Sequence, residues 1–417
     1  MTGVLYISYT GMLEPLGQSQ VLAYLERLAT DRPIHLVSFE EAENWADSTK
    51  RMALSKRILA AGLVWHPLRY HKRPSAAATA YDIAVGAFVG ARLVRRHGLR
   101  IVHARSYVPS VMALAIKRLT GAHYLFDMRG FWADERVDGG LWPKDGRLYR
   151  IAKGFERRFL LAADAVVSLT NAAKQEIATF PYLIDHAPPV TVIPTCADLN
   201  RFYPGPRTSA RPFTLGYVGG AGTWYLFEEA LALFRALKRH RPDARLLIAN
   251  RNEHAFIRAH IAKAGIAVDD IELVAADHSE IPELMWRMDA GLVLIKPVPS
   301  KIASAPTKLA EFLGCGVPCV VNPGVGDMES IVADGRAGIV IRGFSDADCR
   351  DAVHALLDLV AEPDVASRCV ETARRHFALD AGVRSYMDLY DELSIQVARD
   401  DDARPDTAQK SKLAEAD

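Results

Sequence analysis

Lys308 and Glu311 stand three positions apart in the stretch SAPTKLAEFLGCGVPCVVN, residues 304–322. Pro306 suits the first turn of a helix, where its missing N–H would find no partner anyway. Leu309, Phe312 and Leu313 follow at helical spacing, and Gly314 and Gly316 offer left-handed positions that end the helix. Pro318 and the apolar run Cys319-Val320-Val321 then read as a short buried strand. On such a helix Lys308 and Glu311 share a face in the opening turns. A helix start beside a lysine attracts anions, because free N–H groups and the dipole both favour negative charge. A carboxylate one turn further in can accept hydrogen bonds from vicinal hydroxyls, such as those of a ribose. The pattern suits a nucleoside diphosphate over the helix start, with Pro306 and Thr307 in the turn that meets it. The spacing is equally that of a surface i,i+3 ion pair, which is weak. Lys308 is expected to stand exposed in a cleft, so that its removal would change folding stability little.

Other candidates follow strands. Residues 214–218 read as a strand running into Gly219, Gly220 and Gly222, with a helix at 227–239. Strand, glycine loop and helix together bring phosphate close to backbone N–H groups. Asn250 and Arg251 follow a strand expected at 246–249, and Lys296 one expected at 291–295. Near the start, Gly11 and Gly17 occupy a loop between a strand at 4–8 and a helix marked by Leu22, Leu25 and Leu28. His103 lies near the end of a strand at 101–104, and Asp127 and Arg129 follow one at 123–126. Parallel sheets bind ligands beyond the carboxyl ends of their strands, so each of these residues is a site candidate. Each also reads singly as a loop residue or, for His103, as a satisfied core histidine.

The alternation of strands and helices that positions these residues argues for parallel sheets covered on both faces. It runs once to about residue 200, passes Pro204, Gly205 and Pro206, and restarts at Thr214. The chain has 417 residues, enough for two domains, and half of them are apolar. Five cysteines show neither CxxC nor zinc spacing, and no signal peptide is evident, so free thiols in a reducing, cytoplasmic setting are expected. No 18 residues are uninterruptedly apolar, so no membrane-spanning helix is expected. Residues 1–200 carry 25 Lys and Arg against 18 Asp and Glu, a net +7, whereas the whole chain is +1. Arg92, Arg95 and Arg96 close a helix at 76–97, where cations also suit the dipole. The basic half allows peripheral contact with an anionic membrane face, and a chance distribution of surface charge remains the alternative. Residues 398–417 are charged and lack an apolar period, so they are expected to be disordered.

The segment EFLGCGVPCVVN resembles the C-terminal half of the donor motif of family 4 glycosyltransferases, retaining enzymes of the GT-B fold. Glu311 falls where that family has its ribose-binding carboxylate, and Gly316 and Pro318 follow at the family's offsets. The usual glutamate eight positions earlier is replaced by Ala303. The run Ser304-Ala305-Pro306-Thr307-Lys308 instead resembles a branch with Ser-x-Pro-Thr-Lys before the ribose-binding glutamate. The run PLGQSQ, residues 15–20, resembles that branch's acceptor-side loop, and VIPTCADLNRFYP, residues 192–204, its inter-domain passage. Two departures stand out. The glycine loop at 219–224 lacks the family's arginine and lysine, and Asp127 and Arg129 stand near where much of the family has a sugar-contacting histidine.

The resemblance implies two Rossmann-like domains facing across a cleft: an acceptor domain at 1–200 and a donor domain at 207–375. A helix at 376–397 would cross back to the first domain. It implies transfer of a sugar from a nucleotide-diphosphate sugar to a hydroxyl of a saccharide or lipid-linked acceptor, with retention. No cofactor, metal or nucleic acid is implied, and polysaccharide or glycolipid biosynthesis is the expected setting. The donor-binding set is Gly17, Gly219, Gly222, Asn250, Arg251, Lys296, Pro306, Thr307, Lys308 and Glu311; the catalytic candidates are His103, Asp127 and Arg129. A nucleotide-sugar epimerase and a non-catalytic nucleotide-sugar-binding protein share this fold and stay open.

Overall fold

The structure, a computed structural model, describes residues 2–206 and 211–402. Its strands form two parallel sheets. The first holds β1 (Val4–Ser8), β2 (Ile34–Glu40), β3 (Val64–Arg69), β4 (Ile101–Arg105), β5 (His123–Asp127), β6 (Ala165–Ser168) and β7 (Val190–Val192) in the order β3-β2-β1-β4-β5-β6-β7. The second holds β8 (Thr214–Val218), β9 (Arg245–Ala249), β10 (Ile271–Val274), β11 (Ala290–Val293), β12 (Cys319–Val321) and β13 (Gly338–Val340) in the order β10-β9-β8-β11-β12-β13. In each sheet the order reverses at the first strand. Val4 faces Ile34 on one side and Ile101 on the other, and Leu215 likewise faces Leu246 and Ala290. Such a reversal opens a crevice at the carboxyl ends of the strands. The central strands are buried along their length, as β1 shows with VLYIS, because helices cover both faces.

Two compact units divide the chain otherwise than a cut near residue 200. One comprises Met1–Asp127, Phe159–Val166 and Val383–Asp417; the other comprises Met128–Arg158 and Val167–Gly382. Polar ties gather residues 128–158 and 167–171 into the second unit. Lys301 pairs with Glu135 at 2.7 Å, the Ser300 amide donates to Asp138 at 2.9 Å, and the Thr170 hydroxyl donates to the Ile302 carbonyl at 2.6 Å.

In the first unit the helix Ser75–His97 is long and apolar enough, by length and composition, to cross a membrane. This differs from the expectation drawn from uninterrupted apolar runs, because Asp82 and Arg92 interrupt a helix whose mean composition is nonetheless apolar. The fold gives the helix another use. A Cβ at Gly86 would lie 2.5 Å from Met112 Sδ, and one at Gly90 the same distance from Ile116 Cδ1. The two glycines thus let this helix press against the helix Tyr107–Thr120.

The last helix runs Leu379–Asp402. Residues 398–402, expected to be disordered, are its final turn. Asp401 pairs with Arg100 at 2.6 Å and Asp400 lies 3.2 Å from His123 Nε2, so the acidic run is held by Arg100 and His123 of the first unit. The rest of that expected tail, 403–417, lies outside the described residues, as does the expected domain start at 207. All five cysteines are buried, and none is joined in a disulfide.

Candidate active site

In the second unit the helix Thr307–Gly314 begins one residue later than its sequence suggests, with Pro306 as an extended N-cap and no side chain capping it. Its depth is set by Gly291 on β11. A Cβ there would lie 2.7 Å from the Phe312 ring, so only a bare backbone lets the helix settle on the sheet. The helix is consequently buried along its length, Lys308 and Glu311 included. This overturns the exposed lysine. Lys308 is 9% exposed, with Nζ 4.0 Å from the Tyr225 ring centre and 5.3 Å from that of Tyr217. Gly219, at φ 95°, admits it: a Cβ there would lie 3.2 Å from Nζ. Burial pushes the Lys308 ammonium down to about 7, against the pull of Glu311 and Glu253. Among the described residues no carboxylate forms an ion pair with Lys308, so an aromatic cage leaves its charge poised for an incoming anion.

Glu311 is 6% exposed, and its Oε1 lies 2.8 Å from His278 Nε2. His278 follows β10 and is steadied by the Arg201 guanidinium, which donates to its backbone carbonyl. The carboxylate is buried while the His278 side chain is 34% exposed, so the exposed edge of His278 marks where a hydroxylated ligand would approach.

The glycine loop is built differently from a phosphate cradle. The amides of Ala221 and Gly222 donate to Glu253, at 2.9 and 3.0 Å. Asn250 braces the arrangement: its Nδ2 donates to the Gly219 carbonyl and to Glu253 Oε2, and its Oδ1 accepts from the Glu253 amide. Partial burial works to raise the Glu253 carboxyl, but these donors and nearby Lys308 hold it below the ordinary range. The loop therefore carries a carboxylate where its amides were expected to meet phosphate.

Cations gather instead beside the helix start. A cavity of about 270 Å³ is lined by Arg129, Trp224, Tyr225, Lys301, Pro306 and Thr307, among others. Lys301 lies 4.0 Å from the Trp224 ring centre while pairing with Glu135. Arg129 holds a left-handed φ of 57°, and its guanidinium reaches Thr195 Oγ1 at 3.4 Å. Glu253, His278 and Lys301 were not singled out in the sequence; Gly222, Glu311 and Glu135, the partners that tie them to the site, lie 31 or more residues away.

The remaining candidates are placed elsewhere. Lys296 is exposed, and Arg251 pairs with Asp277 at 3.2 Å on the surface. Gly17 lies in the first unit, where a Cβ would meet the Gly11 carbonyl at 2.0 Å, so loop packing alone requires it. His103 and Asp127, also in the first unit, come together in its interior. His103 Nδ1 lies 2.6 Å from Tyr390 Oη, His103 Nε2 3.5 Å from Asp127, and Tyr386 Oη donates to Asp127 at 3.2 Å. Both are 1% exposed, so residues 386 and 390 of the last helix cover what strand-end position alone presented as a site. Among the described residues, no group of three or more His, Cys, Asp and Glu is arranged to hold a metal ion.

Residues 20–201 match the family described as Glycosyltransferase Family 4, and residues 206–376 match Glycosyl transferases group 1. The chain is a glycosyltransferase of the family 4 type. The D-inositol 3-phosphate glycosyltransferase of Arthrobacter sp. is 26% identical over 273 residues, 62% of each chain. The match thus spans about three fifths of that relative's length. Among solved structures, sucrose-phosphate synthase of Thermosynechococcus elongatus aligns with a TM-score of 0.70 at 12% identity, over 95% of this chain and all of its own. Anabaena HepE in complex with UDP-glucose aligns at 0.66 and 14%, over 94% of this glycosyltransferase and 100% of HepE. At these identities the likeness shows the fold, which is GT-B.

Proposed function

We propose that this glycosyltransferase moves a sugar from a nucleoside-diphosphate sugar to an acceptor hydroxyl with retention, in polysaccharide or glycolipid assembly. The observation that carries the reading is the caged, counter-ion-poor Lys308 at an uncapped helix start, with the Glu311 carboxylate one turn further in. The first suits a diphosphate and the second a ribose. Protein cations then meet the charge that develops on the leaving diphosphate, and no metal is called for. The Ser304–Lys308 run supports placing the chain in the Ser-x-Pro-Thr-Lys branch of the family. Retention is supported by the family type. The test is incubation with UDP-glucose and other nucleotide sugars, with and without polyol and saccharide acceptors, followed by proton NMR of the product. We expect a glycoside with the donor's anomeric configuration. An inverted product would overturn retention, and conversion of the nucleotide sugar without acceptor would favour an epimerase.

We also propose peripheral membrane contact in the cytoplasm, through the helix Arg147–Ala162 and the loop before it. Leu141, Leu148 and Ile151 are 63%, 54% and 56% exposed, among exposed Lys144, Arg147 and Arg150. Apolar side chains set among cations suit an anionic bilayer surface. Vesicles of phosphatidylglycerol should carry the protein upward on flotation at low salt, and salt should release it. Sedimentation with anionic and neutral vesicles alike would remove this part of the reading.

A further inference from the structure

The helix Ser75–His97 is apolar enough to cross a membrane, yet it carries Asp82, 1% exposed. Burying a carboxylate is costly unless it is well hydrogen-bonded. Here the bonds go to two residues at the carboxyl ends of strands. Tyr9, just after β1, donates its phenol to Asp82 Oδ2 at 2.8 Å. His71, just after β3, donates its backbone amide to the same oxygen at 3.1 Å, and its Nδ1 lies 2.6 Å from Oδ1. Asp82 accepts only, so the proton between them sits on Nδ1. Burial and the Asp82 bond also raise the Tyr9 phenol, which keeps it a donor.

The consequence is a fixed tautomer. With Nδ1 protonated, Nε2 of a neutral His71 is an acceptor, and the side chain is 35% exposed. A carboxylate behind a histidine fixes the orientation of the ring and so the direction in which its far nitrogen points. A tie meant only to join strand end to helix would not need an ionisable pair, nor leave one end of it facing water.

The surroundings specify the ligand. Tyr81, 59% exposed, meets the His71 ring edge-on at 5.2 Å, and Tyr70 packs against Tyr9 at 5.3 Å. Arg69, Lys72 and Arg73 flank His71 in sequence and are exposed. Aromatic faces suit the C–H face of a hydroxylated ring, a histidine nitrogen suits a ring hydroxyl, and the three cations suit an anionic substituent. We propose that His71, held by Asp82 and Tyr9, is the recognition point for a phosphorylated polyol or sugar, the acceptor of the transfer reaction. This rests on the transferase reading for the word acceptor, and on the first unit's geometry alone for binding.

The test measures binding, so it needs no turnover. Inositol 3-phosphate, myo-inositol and inorganic phosphate are titrated into the full chain by calorimetry, with UDP titrated separately. The expected result is that inositol 3-phosphate binds more tightly than either fragment. His71→Ala should weaken it by about tenfold or more while UDP affinity and melting temperature hold. Asp82→Asn should weaken it too; if that variant does not fold, His71→Gln replaces it and should retain part of the affinity. On titration the wild-type His71 ring signals should shift in NMR spectra, a readout that a purely structural tie would not move. The proposal is overturned if the wild type fails to bind inositol 3-phosphate at millimolar concentration. It is also overturned if inorganic phosphate binds as well, or if His71→Ala leaves the affinity unchanged. Loss of UDP binding with inositol 3-phosphate binding intact would instead strike the transferase reading and leave this site standing.

Discussion

Lys308→Met is expected to lower kcat by about 100- to 1,000-fold, the scale of one preorganised charge-stabilising group. The glycine loop carries no cation, and its Ala221 and Gly222 amides are bonded to Glu253. A departing diphosphate must therefore find positive charge elsewhere, and Lys308 stands at the helix start. Methionine keeps most of the side chain's length between the two tyrosine rings, so packing loss should be small. Stability should move in the favourable direction or not at all. The folded-state pKa is depressed to about 7 from 10.5, so the stability it contributes is full above about 10.5 and is lost as pH falls through 7. Most of that loss accumulates between 10.5 and 7, so near neutrality the wild type already bears nearly all of it, and the variant escapes it. Activity runs the other way, because the charged form is the useful one. In the free enzyme kcat/KM should fall as pH rises through about 7, and the variant should lose that limb of the profile. The measurements are kcat at saturating donor, the pH profile of kcat/KM and the melting temperature. Turnover within a few-fold of wild type, with the fold intact, would hand the phosphate to Lys301 and Arg129.

What could be read in advance follows from the range of the interactions. The helix that carries Lys308 and Glu311 was legible because its signals are local: a proline at the start, apolar residues at helical spacing and glycines at the end. The restart of strand, glycine loop and helix at β8 was legible for the same reason. Burial of Lys308 was not, since it depends on Gly291 meeting Phe312 across 21 residues and on tyrosines from another strand end. Glu253 was invisible as the partner of the glycine loop, because a carboxylate 31 residues away gives no local sign of which amides it will take. His103 and Asp127 show the converse error. Their positions at strand ends were read correctly, but strand-end position does not say which helix will cover them, and Tyr386 and Tyr390 do. Residues 398–402, ARDDD, lacked an apolar period, yet they continue the last helix with Asp401 paired to Arg100 and Asp400 beside His123.

Glu311→Ala should weaken binding of UDP by about 1.5–3 kcal/mol, the scale of hydrogen bonds to a charged acceptor. That corresponds to about 10- to 150-fold in affinity. The carboxylate is 6% exposed and reaches His278 at 2.8 Å, so it is oriented before any ligand arrives. A ribose offering two hydroxyls would find one fixed acceptor and little competing water. Losing it leaves the ribose hydroxyls facing a buried position with no acceptor, which is why the effect should reach the upper part of that range. The side chain contributes little apolar packing, and Phe312 and Leu309 beside it stay buried, so the fold should hold. His278→Ala separates two meanings of the contact. If His278 only orients Glu311, its removal should weaken UDP mildly and add nothing to Glu311→Ala in the double variant. If His278 touches the nucleotide itself, the two losses should add. Titration calorimetry with UDP and uridine, on the wild type, both single variants and the double, reads all of this. Affinity for uridine should fall with Glu311→Ala as much as affinity for UDP does, because the ribose is common to both. A loss confined to UDP would move Glu311 from the ribose to the phosphates, and unchanged affinity for both would remove it from the donor site.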